Sequence, residues 1–236
     1  MIDQLKHGSL ANSTAHLCVD MQNLFAEDTP WGVPWMGRVR PMAAKLALHR
    51  PDRTVFTRFI PPNRPEDAPG TWCRYFSQWR ELTGERIDPR LLELVPELQE
   101  LVPPAIIIDK PVYSPFHDGR LAAYLQEHGI DSLVVSGTET DVCVLAAVLA
   151  AIDHGFRLVI AADALCSSMD ATHDALLKLY HRRFGQQIEI AKTATIIAQW
   201  HSKAADTTIL RALGADGFLP RPERVAPAGR PPQLSR

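Results

Sequence analysis

A three-layer α/β sandwich around a six-stranded, mainly parallel, Rossmann-like sheet is the fold this sequence predicts, and three observations predict it. Six short runs rich in β-branched residues recur along the chain. They are continuously apolar instead of alternating, as strands covered on both faces are. The stretches between several of them are long and helical in pattern, which suits the crossover connections that parallel neighbours require.

The elements follow in chain order. "TAHLCVD" (14 to 20) is the first strand and closes on Asp20; "RTVFTRF" (53 to 59) is the second. After it comes "FIPPNRPEDAPG" (59 to 70), dense in proline and charge, which reads as a loop at the strand's carboxyl end, where ligand crevices form. "PAIIIDK" (104 to 110) is the third strand and ends on Lys110, and "DGRLAAYLQEHG" (118 to 129) is a crossover helix. "DSLVVSG" (131 to 137) is the fourth strand, and it runs through the polar knot "GTETDV" into an apolar helix that opens at Cys143. "FRLVIAAD" (156 to 163) and "QIEIAKT" (187 to 193) complete the six. Residues 1–213 form one domain on this reading. Residues 214–236 form a tail, because "GFLPRPERVAPAGRPPQLSR" holds five prolines and too little apolar surface for a core.

Composition narrows the function. With 236 residues, 46% of them hydrophobic, the chain can bury one substantial core. Its formal net charge is −2 and its Lys and Arg residues are scattered, so no basic stripe points to nucleic acid or an anionic membrane; a small-molecule partner is expected. No run of about 18 apolar residues suggests a membrane span, and the first residues lack the charged-then-apolar order of a signal peptide, so a cytoplasmic protein is expected. Four widely spaced cysteines (Cys18, Cys73, Cys143, Cys166) suit neither a disulfide scaffold nor a metal knuckle.

Functional groups of a parallel sheet gather where strands end and helices begin. Asp20, Lys110 and Cys143 all fall at such points, so an acid, a base and a thiol could converge. Helix N-terminal amides and a nearby ammonium both lower a thiol's pKa, so this placement predicts a nucleophilic thiolate at Cys143. Each residue alone has a plainer reading: Asp20 as a helix cap, Lys110 as a solvated strand end, Cys143 as core. Thr140 and Asp141 read as the N-terminal capping pair of the following helix. Cys18 reads as packing in a buried strand.

Three blocks, "LCVDMQNLF", "DKPVYSPF" and "VVSGTETDVCVLAAVLAAIDHGFRLVIAADA", resemble the signature blocks of the isochorismatase-like cysteine hydrolases, and the resemblance runs over roughly residues 14–195. It implies a catalytic triad of Asp20, Lys110 and Cys143. It also implies a cis peptide between Thr138 and Glu139, with an oxyanion hole made by the backbone N–H groups of Glu139 and Cys143. Members that use a metal place an extra Asp and two His after the second strand; here "TRFIPPNRPEDAPGTW" has no His, so neither metal nor cofactor is expected. Isochorismatases proper cleave a vinyl ether without a nucleophilic cysteine, and Cys143 argues against that chemistry. A cysteine hydrolase of a small amide, carbamoyl or ureido compound is the function implied, through a thioester on Cys143. Vinyl-ether hydrolysis and a non-catalytic binding protein on the same fold are the alternatives. Relatives are commonly dimers or tetramers, so a homo-oligomer is expected, with the Pro-rich tail lying across a partner subunit.

Specificity is expected from pocket loops, with Phe25, Trp31, Trp35, Arg58, Trp72, Tyr113 and Phe116 as candidates. Arg58, near the end of the second strand, could clamp a substrate carboxylate or could make a surface salt bridge.

Overall fold

The computed structural model describes residues 4–201. The expected tail at 214–236 and the domain boundary before it lie outside the described residues. Six strands, β1 (Thr14–Val19), β2 (Thr54–Phe59), β3 (Ile106–Lys110), β4 (Ser132–Gly137), β5 (Arg157–Leu165) and β6 (Ile188–Ala191), form one sheet in the order β3-β2-β1-β4-β5-β6. Every pairing is parallel. Each strand expected from the sequence is present, with ends shifted by one or two residues. Among the described residues eight α-helices accompany them, seven between strands and the last after β6: α1 (Asn23–Ala26), α2 (Met36–His49), α3 (Thr71–Gln78), α4 (Pro96–Gln99), α5 (Arg120–Glu127), α6 (Cys143–Asp153), α7 (Asp170–Arg183) and α8 (Thr193–Ala198).

Side chains alternate across the sheet, and both faces are covered, which is why the strands read as unbroken apolar runs. On one face Ala15, Leu17, Val19, Leu133, Val135, Leu158 and Ile160 pack with Leu121 and Leu125 of α5, Val144, Ala147, Val148 and Ala151 of α6, and Tyr180 of α7. On the other, Val134, Val159 and Ala161 pack with Leu46 of α2 and Ile196 of α8. Cys18 and Phe56 meet Met36, Val39, Ala43 and Ala47 on that same side, the inward stripe of α2 at helical spacing. Among the described residues no helix is long and apolar enough to cross a membrane.

Strand order fixes where a site can form. The chain passes from β1 to β2 on one side and from β4 to β5 on the other, so the loops leaving β1 and β4 diverge. A crevice opens at the carboxyl ends of these two neighbours. The two strands approach closely there: a Cβ on Gly137 would lie 2.0 Å from the Val19 carbonyl oxygen, and Gly137 holds φ at 117°. Only glycine fits that position. Asp20, the next residue after β1, has φ 50°, a left-handed turn that Asp adopts more readily than most residues and that takes the chain out of the sheet.

Candidate active site

Three sequence-distant side chains meet at this crevice. Lys110 Nζ donates to Asp20 Oδ2 at 2.7 Å, to the Cys143 sulfur at 3.5 Å and to the Val112 carbonyl at 3.2 Å. All three ammonium donors are thereby used. The Asp20 and Lys110 side chains have no exposed surface, and Cys143 is 6% exposed. Lys110 belongs to β3, two strands away from β1, and spans the gap with its long stem, its Nζ 5.2 Å from the centre of the Phe59 ring.

Asp20 is held from its other side by Thr57, whose hydroxyl donates to Asp20 Oδ1 at 2.6 Å and accepts from the Asp20 N–H at 3.1 Å. Thr57 went unnoticed in the sequence. A hydroxyl facing inward on a buried strand, level with the end of its neighbour, was the available signal, since such a group needs a partner.

Electrostatics correct the expectation of a resting thiolate. Burial, then the Asp20 carboxylate, push the Cys143 thiol well above its ordinary value, and Lys110 pulls it back only in part. Burial alone would lower Lys110, but the Asp20 carboxylate and Cys143 outweigh it and raise the ammonium above the usual lysine value. The resting site therefore keeps the proton on sulfur beside a carboxylate. Cys18 and Cys166 are core thiols, each pushed up to about 12 chiefly by burial.

Between β4 and α6 the chain makes a cis peptide at Thr138–Glu139. Among the described residues no acceptor is hydrogen-bonded to the N–H of Glu139, Asp141 or Cys143, whereas the Thr140, Val142 and Val144 N–H groups are all bonded; of the three, those of Glu139 and Cys143 are the ones expected to form the oxyanion hole. Two unsatisfied donors thus flank the sulfur.

Thr140 and Asp141 do not cap α6, contrary to expectation: its N-cap is Val142, and no side chain bonds there. They turn instead toward the β5–α7 connection. Thr140 Oγ1 bonds the Cys166 carbonyl at 3.0 Å and His173 Nδ1 at 2.8 Å. Asp141 accepts from Ser167 Oγ at 2.5 Å and from the Thr172 hydroxyl. The Glu139 carboxylate accepts from the Ser168 N–H at 2.9 Å and from Ser167 Oγ at 3.3 Å. A polar brace of this kind was not readable from local sequence, because its two halves lie more than 25 residues apart.

A narrow cavity of about 50 Å³ opens onto the sulfur, lined by Phe25, Trp31, Phe59, Tyr75, Tyr113, Glu139, Val142 and Cys143. Outside it lies a wider recess of about 370 Å³ lined by Thr71, Trp72, Tyr75 and Tyr113. Of the sequence candidates, Phe25, Trp31 and Tyr113 line the inner cavity, and Trp72 the recess. Three others do not reach it. Arg58 points away from the cavity into a bidentate pair with Asp109 at 2.8 and 2.9 Å, with a further bond to Glu93 at 2.5 Å. Trp35 sits against Arg38 and His173. Phe116 stacks on His154 and Phe156 within the core. Tyr75, Phe59 and Val142 were missed; Tyr75 arrives on α3, behind the proline-rich loop, a position with no sequence signature.

The comparisons with known proteins agree with this architecture. The family model described as the isochorismatase domain matches residues 14–192. The chain belongs to the isochorismatase family. Maleamate amidohydrolase of Pseudomonas putida is 25% identical over 181 residues, covering 74% of this chain and 82% of the relative. Nicotinamidase 3 of Arabidopsis thaliana is 29% identical over 86 residues, 36% of this chain and 43% of the relative. Among solved structures, a cysteine hydrolase from Pseudomonas syringae pv. phaseolicola matches with a TM-score of 0.65 at 23% identity, over 79% of this chain and 92% of that one. N-carbamoylsarcosine amidase from Thermoplasma acidophilum matches at 0.61 and 21%, over 76% and 96%. The structural likenesses speak to the fold alone.

Proposed function

We propose that this chain is a cysteine hydrolase that cleaves the C–N bond of a small amide, carbamoyl or ureido compound through a thioester on Cys143. One observation carries the reading: Asp20, Lys110 and Cys143 converge, buried, with Nζ 2.7 Å from the carboxylate and 3.5 Å from the sulfur, beside two main-chain N–H groups without acceptors. Amidohydrolases among the relatives support it.

The geometry supports the following role for each group. Asp20 takes the thiol proton as Cys143 Sγ attacks the carbonyl carbon, so the base acts in the same step as the nucleophile. The N–H groups of Glu139 and Cys143 receive the developing oxyanion. Asp20 then returns the proton to the leaving nitrogen, and ammonia or an amine departs as the thioester forms. Water, deprotonated by the same carboxylate, attacks the thioester; the acid product leaves and the sulfur regains its proton. Lys110 stays charged throughout, balancing first the carboxylate and then the sulfur.

The test is a panel of amides, carbamoyl compounds and ureido compounds assayed by ammonia release, beside isochorismate. Intact-mass measurement looks for an acyl adduct on Cys143. Release that disappears in Cys143→Ala, with an adduct in the wild type, is the expected result. Turnover of isochorismate that survives in Cys143→Ala would replace this reading with acid-catalysed vinyl-ether cleavage, and no turnover of anything would leave a binding protein.

A further inference from the structure

We propose that the substrate is an amide whose acyl group carries no carboxylate and is held by aromatic faces, an inference that rests on the proposed amide hydrolysis and narrows its substrate. The wall of the inner cavity carries it. Five of its eight lining residues are aromatic: Phe25, Trp31, Phe59, Tyr75 and Tyr113. Trp31 is at the centre of this group, with Phe25 at 6.4 Å and nearly parallel, Phe59 at 5.8 Å and Tyr75 at 5.8 Å. Such surfaces hold flat or apolar groups by dispersion and by displacing water.

Among the described residues, no cationic side chain lines this cavity. Arg58, the candidate clamp, is committed to two carboxylates outside it. Lys110 is close to the sulfur but is fully covered and has spent its three donors on Asp20, Val112 and Cys143. The free donors near the sulfur are neutral: the N–H groups of Glu139 and Cys143, which the amide oxygen would occupy, and the buried Trp31 indole N–H, which has no partner. The one ionisable lining group beyond Cys143 and the two tyrosines is Glu139, an acid.

The field inside the cavity points the same way. Burial, chiefly, raises both the Tyr75 and the Tyr113 phenol above the ordinary tyrosine value. Both phenols stay neutral. A carboxylate entering here would lose its water and meet no free cationic side chain among the described lining residues. Uncharged acyl groups incur none of these costs.

Matched pairs of primary amides test the inference. Propionamide against succinamate, and benzamide against phthalamate, differ within each pair by one carboxylate. In the wild type the uncharged member should have kcat/KM at least about 100-fold higher, equivalent to about 2.7 kcal/mol of transition-state binding. Tyr75→Arg, which places a cation at the rim, should cut that ratio by at least tenfold, chiefly through KM for the acidic member. Equal or better turnover of the carboxylate-bearing amides by the wild type overturns the inference and leaves amide hydrolysis standing. Quaternary-ammonium amides, such as glycine betaine amide, form a further arm: a gain over the neutral amides assigns the aromatic wall to a cation, also overturning the uncharged class. No ammonia release from any amide, with no adduct on Cys143, fails the proposed hydrolysis itself.

Discussion

Replacing Lys110 by Met separates what the buried ion pair does for the fold from what it does for the chemistry. At 2.7 Å and an effective dielectric of about 20, the attraction between the ammonium and Asp20 is roughly 6 kcal/mol, most of which offsets the desolvation of the two charges. Met fills most of the stem's volume but leaves the carboxylate with the Thr57 hydroxyl and the Cys143 thiol as its side-chain donors and no counter-charge. A stranded buried charge of this sort costs about 3–5 kcal/mol, so Lys110→Met should lower the unfolding free energy by that amount at pH 7. Adding Asp20→Asn removes the charge at all pH values, and the double variant should regain most of the stability. Activity should follow a different course: both Lys110→Met and the double variant should lose at least about 100-fold in kcat, since base and counter-ion are each needed for proton transfer. Urea unfolding at pH 7, with ammonia release on the best substrate, reads both quantities. A Lys110→Met protein within about 1 kcal/mol of wild type, or a double variant no more stable than the single one, would refute the account of the pair.

Three further outcomes follow from the site and the core. Alkylation of Cys143 by iodoacetamide should be slow at pH 7 and climb about tenfold per pH unit into the alkaline range, because burial and Asp20 keep the thiol protonated below its raised value; a plateau already reached at neutral pH would contradict this. Asp20→Asn and Cys143→Ala should each abolish turnover and combine with little added loss, while multiplicative losses would separate their roles. His16 is fully buried against Ser136, and burial lowers its pKa from 6.5 to about 3, so its neutral form favours the fold fully above pH 6.5 and that contribution is lost as pH falls toward 3. Over the two units from pH 6.5 to 4.5 this amounts to about 2–3 kcal/mol, visible as a steeper acid loss in the wild type than in His16→Gln; equal slopes would remove His16 from the acid response.

The sequence revealed those parts of the molecule whose cause is local. Strands covered on both faces are apolar throughout, and Thr14–Val19 and Ser132–Gly137 stood out for that reason. Asp20, Lys110 and Cys143 were legible because each ends a strand or begins a helix, and because the blocks around them resemble a known family. What escaped depended on pairings between distant segments. Arg58 has the right chemistry for a carboxylate clamp, but its direction is set by strand alternation: Thr57 faces Asp20, so Arg58 faces Asp109 on the adjoining strand. Thr140 and Asp141 have the composition of a cap, yet Cys166, Ser167, Thr172 and His173 offer them partners that only the folded chain supplies.

The same pairings explain why the site needs both a lysine and a remote brace. At the β1–β4 crevice the carboxylate directly follows β1 and the thiol opens α6 just after the adjacent β4, so neither needs reach. A cation must come from elsewhere, because the close approach at Gly137 leaves no room for a third side chain between them. β3 is two strands away, and a flexible four-carbon stem passing Phe59 delivers a point charge where a planar guanidinium would demand more space and a forked acceptor. The loop from Thr138 to Cys143 has the opposite problem: the N–H groups of Glu139 and Cys143 must stay unbonded to serve an oxyanion, so those two add nothing to the bonds by which Thr138 and Thr140 hold it to Val19 and Cys166. Its side chains compensate by bonding outward, Glu139 and Asp141 to Ser167 and Ser168 or Thr172, and Thr140 to His173. Asp141→Asn should therefore act through the loop, lowering kcat several-fold with KM and melting temperature nearly unchanged. A parallel fall in melting temperature and no change in kcat would make the brace a matter of stability alone.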